Sequence, residues 1–356
     1  MKNMKPELEK LCADYIANRD TVGKVFKWDS NDLYTVCANV FCACGQTADT
    51  DRLKECREVI KKHTGLFSKF RSKKVRSILA SMLSLVEKPE ERMTLANDYF
   101  SLLKRHFKGT EYLVLTAFLL ADLADQTLTE ETALRGKQIY RRMNQKHRIL
   151  TNKTDSVFAM LMAFSGKSED ELTEEVEAGY LALKKHFSNS GASQTAAQVF
   201  SMTGGLPEEK AQRLNDLYDA LTEAEIKYGH ADELAPLAAL SLSDTPIPTL
   251  VEEIKEADEF LKDQKGYGTK EDELKKRALH AVMIVSDQYQ GTDQVNVTLM
   301  TNTLDMLFAK QQASRFSFAV HVVEALLKMV AASHEGKDET KVETDNKSDA
   351  QKQPEE

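Results

Sequence analysis

Five histidines recur at nearly regular intervals along the chain, and histidine is a common metal ligand and proton carrier near neutral pH. They are His63, His106, His147, His186 and His230, separated by 43, 41, 39 and 44 residues. Two lie in nearly identical stretches, LKRHF at 103–107 and LKKHF at 183–187, where two cations precede the histidine. This spacing indicates either a divided metal or catalytic site, or a structural feature that each repeat contains once.

The structural interpretation is favoured because each histidine lies at or just after the end of an amphipathic helical pattern. Helix C-termini present unpaired carbonyls and partial negative charge, which favours Lys, Arg and His there. Adjacent helices lie about 8–10 Å apart, whereas zinc–nitrogen bonds measure about 2 Å. One ion would therefore not join histidines of neighbouring repeats, and we predict helix capping.

Two acid-free segments are the best candidates for ligand binding. KKHTGLFSKFRSKKVR (61–76) contains seven cations and two phenylalanines, and RGKQIYRRMNQKHRILTNK (135–153) contains seven more cations. Cations with interleaved aromatics bind phosphate groups or single-stranded nucleic acid. The alternative is a pair of solvated connectors, with the phenylalanines packed beneath the loop. The residues assigned to an anion or nucleic-acid site are Lys69, Arg71, Lys73, Lys74, Arg76, Arg141 and Arg142.

A further candidate lies at the start of an apolar run, TNKTDSVFAM at 151–160. A helix N-terminus with Lys153 nearby would attract an anion. Capping of the helix by Thr154 or Asp155 explains the same residues without a ligand.

The five cysteines, Cys12, Cys37, Cys42, Cys44 and Cys56, are interpreted as reduced thiols. Their number is odd, and they lack a paired C-x-x-C spacing. Those within the apolar run TVCANVFCAC at 35–44 are expected to pack as small hydrophobic residues. The chain also contains no H-E-x-x-H, G-x-S-x-G or phosphate-loop motif. We therefore predict no cofactor and no metal, and favour a non-catalytic protein over an enzyme.

Composition narrows the protein class further. A hydrophobic content of 42% over 356 residues argues against a disordered chain. The formal charge of −8 argues against a dedicated nucleic-acid binder. The N-terminal MKNMKPELEKLCADYIANRD has no apolar run typical of a secretory signal. The longest apolar stretch, at 316–333, contains His321, Glu324 and Lys328, so membrane insertion is not predicted. These features predict a cytoplasmic protein.

The candidate residues above must be positioned by helices, and the helical pattern consists of apolar blocks that alternate with amphipathic segments. The blocks are LYTVCANVFCAC, VRSILASMLSLV, YLVLTAFLLADLA, DSVFAMLMAFS, QTAAQVFSMT, ELAPLAALSLS and LKKRALHAVMIVS. Helices that are apolar on nearly every side are buried, whereas amphipathic helices cover them. We interpret each unit as an inner apolar helix, a short turn and an outer amphipathic helix.

A unit of this length cannot bury its own apolar face, so the units must stack on one another. The pattern predicts an all-α fold, a right-handed α-α superhelix (α-solenoid) of about six helix-hairpin repeats of roughly 40 residues with capping helices. The predicted divisions are an N-terminal capping helix in 1–30, a repeat domain in 31–290, a helical cap in 291–334 and a disordered charged tail in 335–356.

Several stretches, in order, resemble an uncharacterised bacterial family, the domain of unknown function 4003. The resemblance extends from about Trp28 to about Tyr289 and includes WDSNDLYTVCANVF, LKECREVIKKHTGLFSKFR, EYLVLTAFLLADLA, TDSVFAMLMAFS and DEFLKDQKGYG. It implies a cytoplasmic bacterial protein with a helical fold. It implies no activity, cofactor or site residue.

The expected function is recognition of a protein or peptide partner on the concave surface of a non-catalytic helical-repeat scaffold, as solenoids commonly provide. The alternative is an anion- or nucleic-acid-binding regulator, or an enzyme, that uses segments 61–76 and 135–153. Nucleic acid is the less favoured partner. Self-association through the apolar helix at 316–333 is a third possibility.

Overall fold

A computed structural model describes residues 4–288 apart from 28, 30, 123–126, 154 and 232. Within those ranges the regular elements are fourteen α-helices and one 3-10 helix, with no strand, which confirms the all-α prediction. The helices are α1 (Pro6–Val25), α2 (Asn31–Ala43), α3 (Thr50–His63), α4 (Arg76–Ser84), α5 (Pro89–Leu103), α6 (Glu111–Asp122), α7 (Glu130–Lys146), α8 (Asp155–Met162), α9 (Glu169–Leu183), α10 (Ser190–Ser201), α11 (Pro207–Glu223), α12 (Leu234–Ser241), α13 (Ile247–Lys262) and α14 (Glu271–Gln288), and the 3-10 helix is Lys69–Arg71.

Local sequence explains where several of these helices begin. Ser168 and Glu171 form a reciprocal capping box at the start of α9, in which each side chain accepts from the other residue's backbone N–H. Pro207 occupies the first turn of α11, where its missing N–H leaves no helix hydrogen bond unmade. Asp49 accepts from two backbone N–H groups at the start of α3.

The helices fall into two classes that alternate along the chain. All eight residues of α8 are buried, and so are all eight of α12. In α7, by contrast, burial is limited to Ala133, Gly136, Ile139 and Met143, which recur at helical spacing along one face. A Cβ at Gly136 would overlap Met160, so glycine allows α7 to lie close to α8. The predicted inner and outer layers therefore correspond to the even- and odd-numbered helices.

The pairing of the helices differs in phase from the predicted hairpin. Each odd-numbered helix packs along the even-numbered helix that follows it, from α1 with α2 to α13 with α14. The hairpin predicted from sequence instead pairs each apolar helix with the amphipathic helix that follows it. An alternating pattern is the same for both pairings, so periodicity alone does not distinguish them.

Contacts between the odd-numbered helices continue from α1 to α13, and α13 in turn contacts α1. Helix α14 likewise contacts both α1 and α2. Lys5 Nζ lies 2.6 Å from Glu253 Oε1, Arg19 donates to Lys265 O at 2.9 Å, and Lys276 pairs with Asp32. The predicted right-handed α-α superhelix of about six repeats is therefore not confirmed. The first and last described helices cover each other's apolar faces. In an open stack, separate capping helices would cover these faces instead.

A series of side chains that sequence analysis missed joins the two layers. Arginines of the odd-numbered helices donate to carbonyls at or just after the ends of even-numbered helices, groups that a helix end leaves unpaired. The donors Arg52, Arg92, Arg135 and Arg213 reach the carbonyls of Val86, Ala121, Ala163 and Ser241. In α9 the equivalent position is Glu175, and there Lys167 donates to Ser201 O and Thr203 O while pairing with Glu175 at 2.7 Å.

The predicted C-terminal cap at 291–334, with its apolar stretch at 316–333, and the predicted tail at 335–356 lie outside the described residues. Among the described helices, none has the length and apolar character required to cross a membrane.

Candidate anion-binding cleft

The recurring histidines connect neighbouring odd-numbered helices. The Nε2–carboxylate distances are 3.9 Å for His63–Glu90, 2.6 Å for His106–Glu130, 2.7 Å for His147–Glu177 and 3.1 Å for His186–Asp219. They lie at the predicted helix ends, but their partners are carboxylates of the next odd-numbered helix. His230 is exposed. The described residues contain no group of three or more potential His, Cys, Asp or Glu metal ligands.

Arg71 and Arg76, two of the predicted site residues, make internal contacts. Arg71 Nε donates to Thr64 Oγ1 at 3.1 Å, and the same guanidinium donates to carbonyls at the end of α3. Arg76 forms a bidentate pair with Asp29, with N–O distances of 3.1 and 2.6 Å. The Asp29 side chain is fully buried, so this pair holds the α1–α2 connection against the start of α4.

The remaining predicted cations differ in their surroundings. Lys69 Nζ lies 3.5 Å from Glu111 Oε1, and Lys73 and Lys74 are exposed. On α7, Arg141 is exposed. Arg142 is engaged by two acids at the start of α9, with a distance of 3.1 Å from its Nε to Glu169 Oε2.

The two phenylalanines of segment 61–76 have opposite environments. Phe70 is buried beneath the loop and packs edge-to-face on Phe100, with ring centroids 5.4 Å apart. Phe67 is 96% exposed. The predicted packing beneath the loop therefore applies to Phe70 alone.

A cleft of about 290 Å³ lies where the end of α1, the second half of α3 and the start of α4 meet. It is lined by Lys24, Val25, Phe26, Lys27, Arg57, Lys61 and Arg76. Five of these seven residues are cationic and none is acidic. Only Lys61 and Arg76 belong to the predicted segment 61–76. Lys24, Lys27 and Arg57 join them because α1 packs against α3.

The α1–α2 connection, which forms one wall of the cleft, is held by Tyr34. Its hydroxyl donates to Phe26 O and, at 2.9 Å, to Asp29 O. The ring lies against Gly23, where a Cβ would come within 3.3 Å of it. With the Arg76–Asp29 pair, these contacts hold the backbone beside the cleft in place before any ligand arrives.

The cleft retains an excess of positive charge. Lys61 pairs with Glu58 at 2.6 Å, and this hydrogen bond lowers the pKa of Glu58. Arg57 Nε lies 3.6 Å from the same carboxylate and, although it is buried, has no hydrogen-bond partner in the described part of the chain. With Glu58 and Asp29 counted against the five lining cations, the net charge is +3. Guanidinium and ammonium groups in this arrangement suit a phosphate or carboxylate ligand.

A family model described as "Protein of unknown function (DUF4003)" matches residues 18–313. The chain belongs to this family. The match confirms the resemblance predicted from sequence, and its span includes every residue that lines the cleft. No curated protein and no solved structure matches the chain.

Outside the cleft, this DUF4003 chain also contains a buried carboxylate, Asp155. Asp155 accepts from Asn152 N and from Gln198 Nε2, both at 2.6 Å, and burial raises its pKa to about 6. Lys153, the predicted anion partner at this helix start, is exposed. Thr154, the alternative cap, lies outside the described residues.

The cysteines have free thiols, and four of the five are buried in the helical core, as predicted for these residues. Burial raises the pKa of Cys12 and of Cys37 to about 12, so both are thiols near neutral pH. Cys44 is the exception, because it lies just beyond the end of α2 and is exposed.

Proposed function

We propose that this protein binds a small phosphate-bearing molecule in the cationic cleft and acts as a ligand-binding protein. The observation that carries the proposal is the concentration of Lys24, Lys27, Arg57, Lys61 and Arg76 around one recess of about 290 Å³. That volume is close to the lower limit for ligand pockets. Arg57 and Lys61 would donate to phosphate oxygens, and Lys24 and Lys27 would add positive charge at the rim.

The scaffold alone does not account for this cluster. At the ends of α5 and α7, cations pair with acids of the next odd-numbered helix, as Arg105 and His106 do with Glu130 and Arg142 does with Glu169. At the cleft, α3 contributes Arg57 and Lys61 instead. Like charges repel across a short distance, so an anionic ligand would lower the energy of the folded protein. The proposal is limited to binding and does not include catalysis.

Recognition of a protein partner on a concave surface, the first expectation from sequence, stays a prediction. We rank it second because the contacts between odd-numbered helices run from α1 to α13 and back to α1. These contacts do not support an open stack with a concave binding face. Cytoplasmic location also stays a prediction.

For the architecture, we propose a closed ring of seven outer–inner helix hairpins. The Lys276–Asp32 pair between α14 and α2 supports it. Zero-length carbodiimide coupling of the monomer should join the peptides that contain these two residues, as detected by mass spectrometry. Failure to find this intramolecular product under conditions that couple the Lys61–Glu58 pair would contradict the ring.

Calorimetric titration of the full chain with pyrophosphate tests the proposed function. We expect saturable binding at low ionic strength, and a loss of affinity of about tenfold in Arg57→Gln, the magnitude typical of one charge-assisted hydrogen bond. Lys185→Gln provides a matched control, because Lys185 is an exposed cation just beyond the end of α9. Absence of saturable binding, or an equal loss in the control, would overturn the proposal.

A further inference from the structure

The α1–α2 and α13–α14 hairpins come from opposite ends of the described chain, and the contacts of α1 with α13 and of both α1 and α2 with α14 form a seam. Because α3 to α12 separate the two sides in sequence, side-chain contacts must hold the seam closed. Lys5 pairs with Glu253 of α13, and Arg19 donates to Lys265 O in the α13–α14 connection.

A buried histidine of α14 lies inside this seam. His280 is 1% exposed, and its Nδ1 lies 2.7 Å from Tyr267 Oη in the α13–α14 connection. Its ring centroid is 6.0 Å from that of Tyr15, a fully buried residue of α1. The imidazole is therefore next to both sides of the seam, and water reaches it only when the two sides separate.

The surroundings of His280 favour the neutral imidazole. Burial lowers the pKa of His280 well below its ordinary value, and the positive charges of Lys276 and Arg19 lower it further. A neutral ring can accept from the Tyr267 hydroxyl at Nδ1, whereas an imidazolium has donors on both nitrogens and no acceptor. Protonation therefore removes this acceptor and places a third positive charge beside two others.

The helices packed against α14 hold their carboxylates in pairs with other groups. Asp258 of α13 accepts from Arg277 at 2.8 and 2.7 Å, and Asp32 of α2 pairs with Lys276. The segment LAPLAALS of α12 has no titratable side chain. The other titratable side chains along the seam are Cys12, Tyr15, Glu253 and Glu256. A protonated His280 would have to compete with Arg277 and Lys276 for Asp258 and Asp32.

We propose that this seam is an acid-sensitive closure, which opens when His280 takes up a proton. In the open protein the imidazole is in water, where its pKa is about 6.5. Because the pKa is lower in the closed protein, closure has its full stability above about pH 6.5 and loses stability as the pH falls below that value. The α1–α2 and α13–α14 contacts lie within each side, so opening leaves both hairpins intact.

A buried cysteine of α1 provides a probe of the seam. Cys12 is fully buried and lies seven residues from both Lys5 and Arg19, so all three project from the same side of α1. Lys5 and Arg19 make the contacts with Glu253 and Lys265 O, so Cys12 lies between two points of contact across the seam. A thiol reagent therefore reaches Cys12 only when the seam opens.

Thiol labelling of the full chain with 4,4′-dithiodipyridine tests the proposal, with peptide mass spectrometry to give the rate at each cysteine. The rate at the exposed Cys44 corrects for the effect of pH on the reagent. From pH 7.5 to pH 5 we expect the Cys12 rate relative to Cys44 to rise about 30-fold, the change in opening given by a histidine pKa of about 6.5 in the open protein. Cys37 and Cys56, which are buried on α2 and α3, should stay protected.

His280→Asn keeps an acceptor for the Tyr267 hydroxyl and carries no charge at any pH, so its Cys12-to-Cys44 ratio should not depend on pH. His230→Asn is the matched control, because His230 is exposed, and it should show the wild-type rise.

Three results would overturn the closure: a wild-type ratio that does not change with pH, a rise of the same size in His280→Asn, or equal rises at Cys12, Cys37 and Cys56, which indicate global unfolding. The first and third are measured on the wild type, so they decide the matter even if His280→Asn does not fold.

Discussion

The α1–α3 and α5–α7 interfaces occupy equivalent places in the fold but differ in charge. At α5–α7, Glu130 of the later helix pairs with Arg105 at 3.0 Å and with His106 at 2.6 Å. At α1–α3, the later helix contributes Arg57 and Lys61 to the cleft at the end of α1. One interface neutralises its cations and the other concentrates them.

The contrast separates two roles for cations in one scaffold. A cation with a carboxylate or a helix-end carbonyl beside it contributes to the folded state, as Arg135 does at the end of α8. A cation held among other cations raises the energy of the empty protein, and a ligand offsets that energy. Replacing a cation of the first class should therefore lower stability without weakening ligand binding. Replacing a cation of the second class should weaken ligand binding without lowering stability.

The largest expected effect comes from making the cleft resemble the α5–α7 interface. Arg57→Glu places a carboxylate among Lys24, Lys27 and Lys61, so we expect the affinity for pyrophosphate to fall by about 100-fold or more. The melting temperature should change little, because relief of repulsion among the cations is offset by loss of the Arg57 Nη1 donation to Val25 O at 3.5 Å, at the end of α1. Calorimetric titration and thermal unfolding measure both quantities. If Lys185→Glu at the end of α9 weakens binding as much, the charge of the cleft is not the cause.

The next-largest effect is expected for Arg135, a cation that stabilises the folded state. Arg135→Gln removes donors to Ala163 O and Ser165 O, both at 2.9 Å, and leaves helix-end carbonyls without partners. We expect the free energy of unfolding to fall by about 2 kcal/mol, as measured by urea denaturation. Pyrophosphate affinity should not change. Arg141→Gln on the exposed side of the same helix is the control, and a comparable loss there would contradict the capping role.

Asp155 contrasts with the cleft, because it is a buried carboxylate that forms no ion pair within the described residues. Burial raises its pKa from 3.8 to about 6, so the folded state favours the protonated form, and stability falls as the pH rises through about 6. Asp155→Asn should remove this pH dependence and raise the free energy of unfolding at pH 7 by about 2 kcal/mol. Gln198 Oε1, which has no hydrogen-bond partner in the described part of the chain, can accept from the new amide after its side chain flips.

Denaturation curves of wild type and Asp155→Asn between pH 4 and pH 7 provide the test. Parallel pH profiles for the two proteins would show that Asp155 does not titrate in this range.

The smallest effect is expected at a single histidine–carboxylate pair. The His147–Glu177 pair is partly exposed, and such pairs contribute little in water. Glu177→Gln should lower the free energy of unfolding by about 0.5 kcal/mol and leave pyrophosphate affinity unchanged. A loss of several kcal/mol in denaturation would show that the histidine series matters more to stability than its exposure indicates.

The sequence predicts the layers of this fold better than their order. Apolar runs such as DSVFAMLMAFS identify inner helices, and Ser168 with Glu171 identifies a helix start, because both depend on neighbouring residues. The pairing of helices and the contact of α13 and α14 with α1 are long-range properties. A periodic pattern is compatible with an open stack and with a closed ring.

The cleft was only partly predictable for the same reason. Lys61 and Arg76 belong to a conspicuous acid-free segment. Lys24, Lys27 and Arg57 come from different helices, and the packing of α1 on α3 determines their proximity. Within the segment itself, sequence did not distinguish the buried Phe70 from the exposed Phe67.

Nuclear magnetic resonance of the arginine Nε–H groups during a pyrophosphate titration tests the central claim most directly. Arg57 Nε has no hydrogen-bond partner in the described part of the chain, so a ligand phosphate should shift its resonance saturably. The resonances of Arg142 and Arg213, whose Nε–H groups already donate to Glu169 and to Ser241 O, should stay in place. The signal missing in Arg57→Gln assigns the resonance. An unshifted Arg57 signal, or equal shifts of all three, would contradict the account.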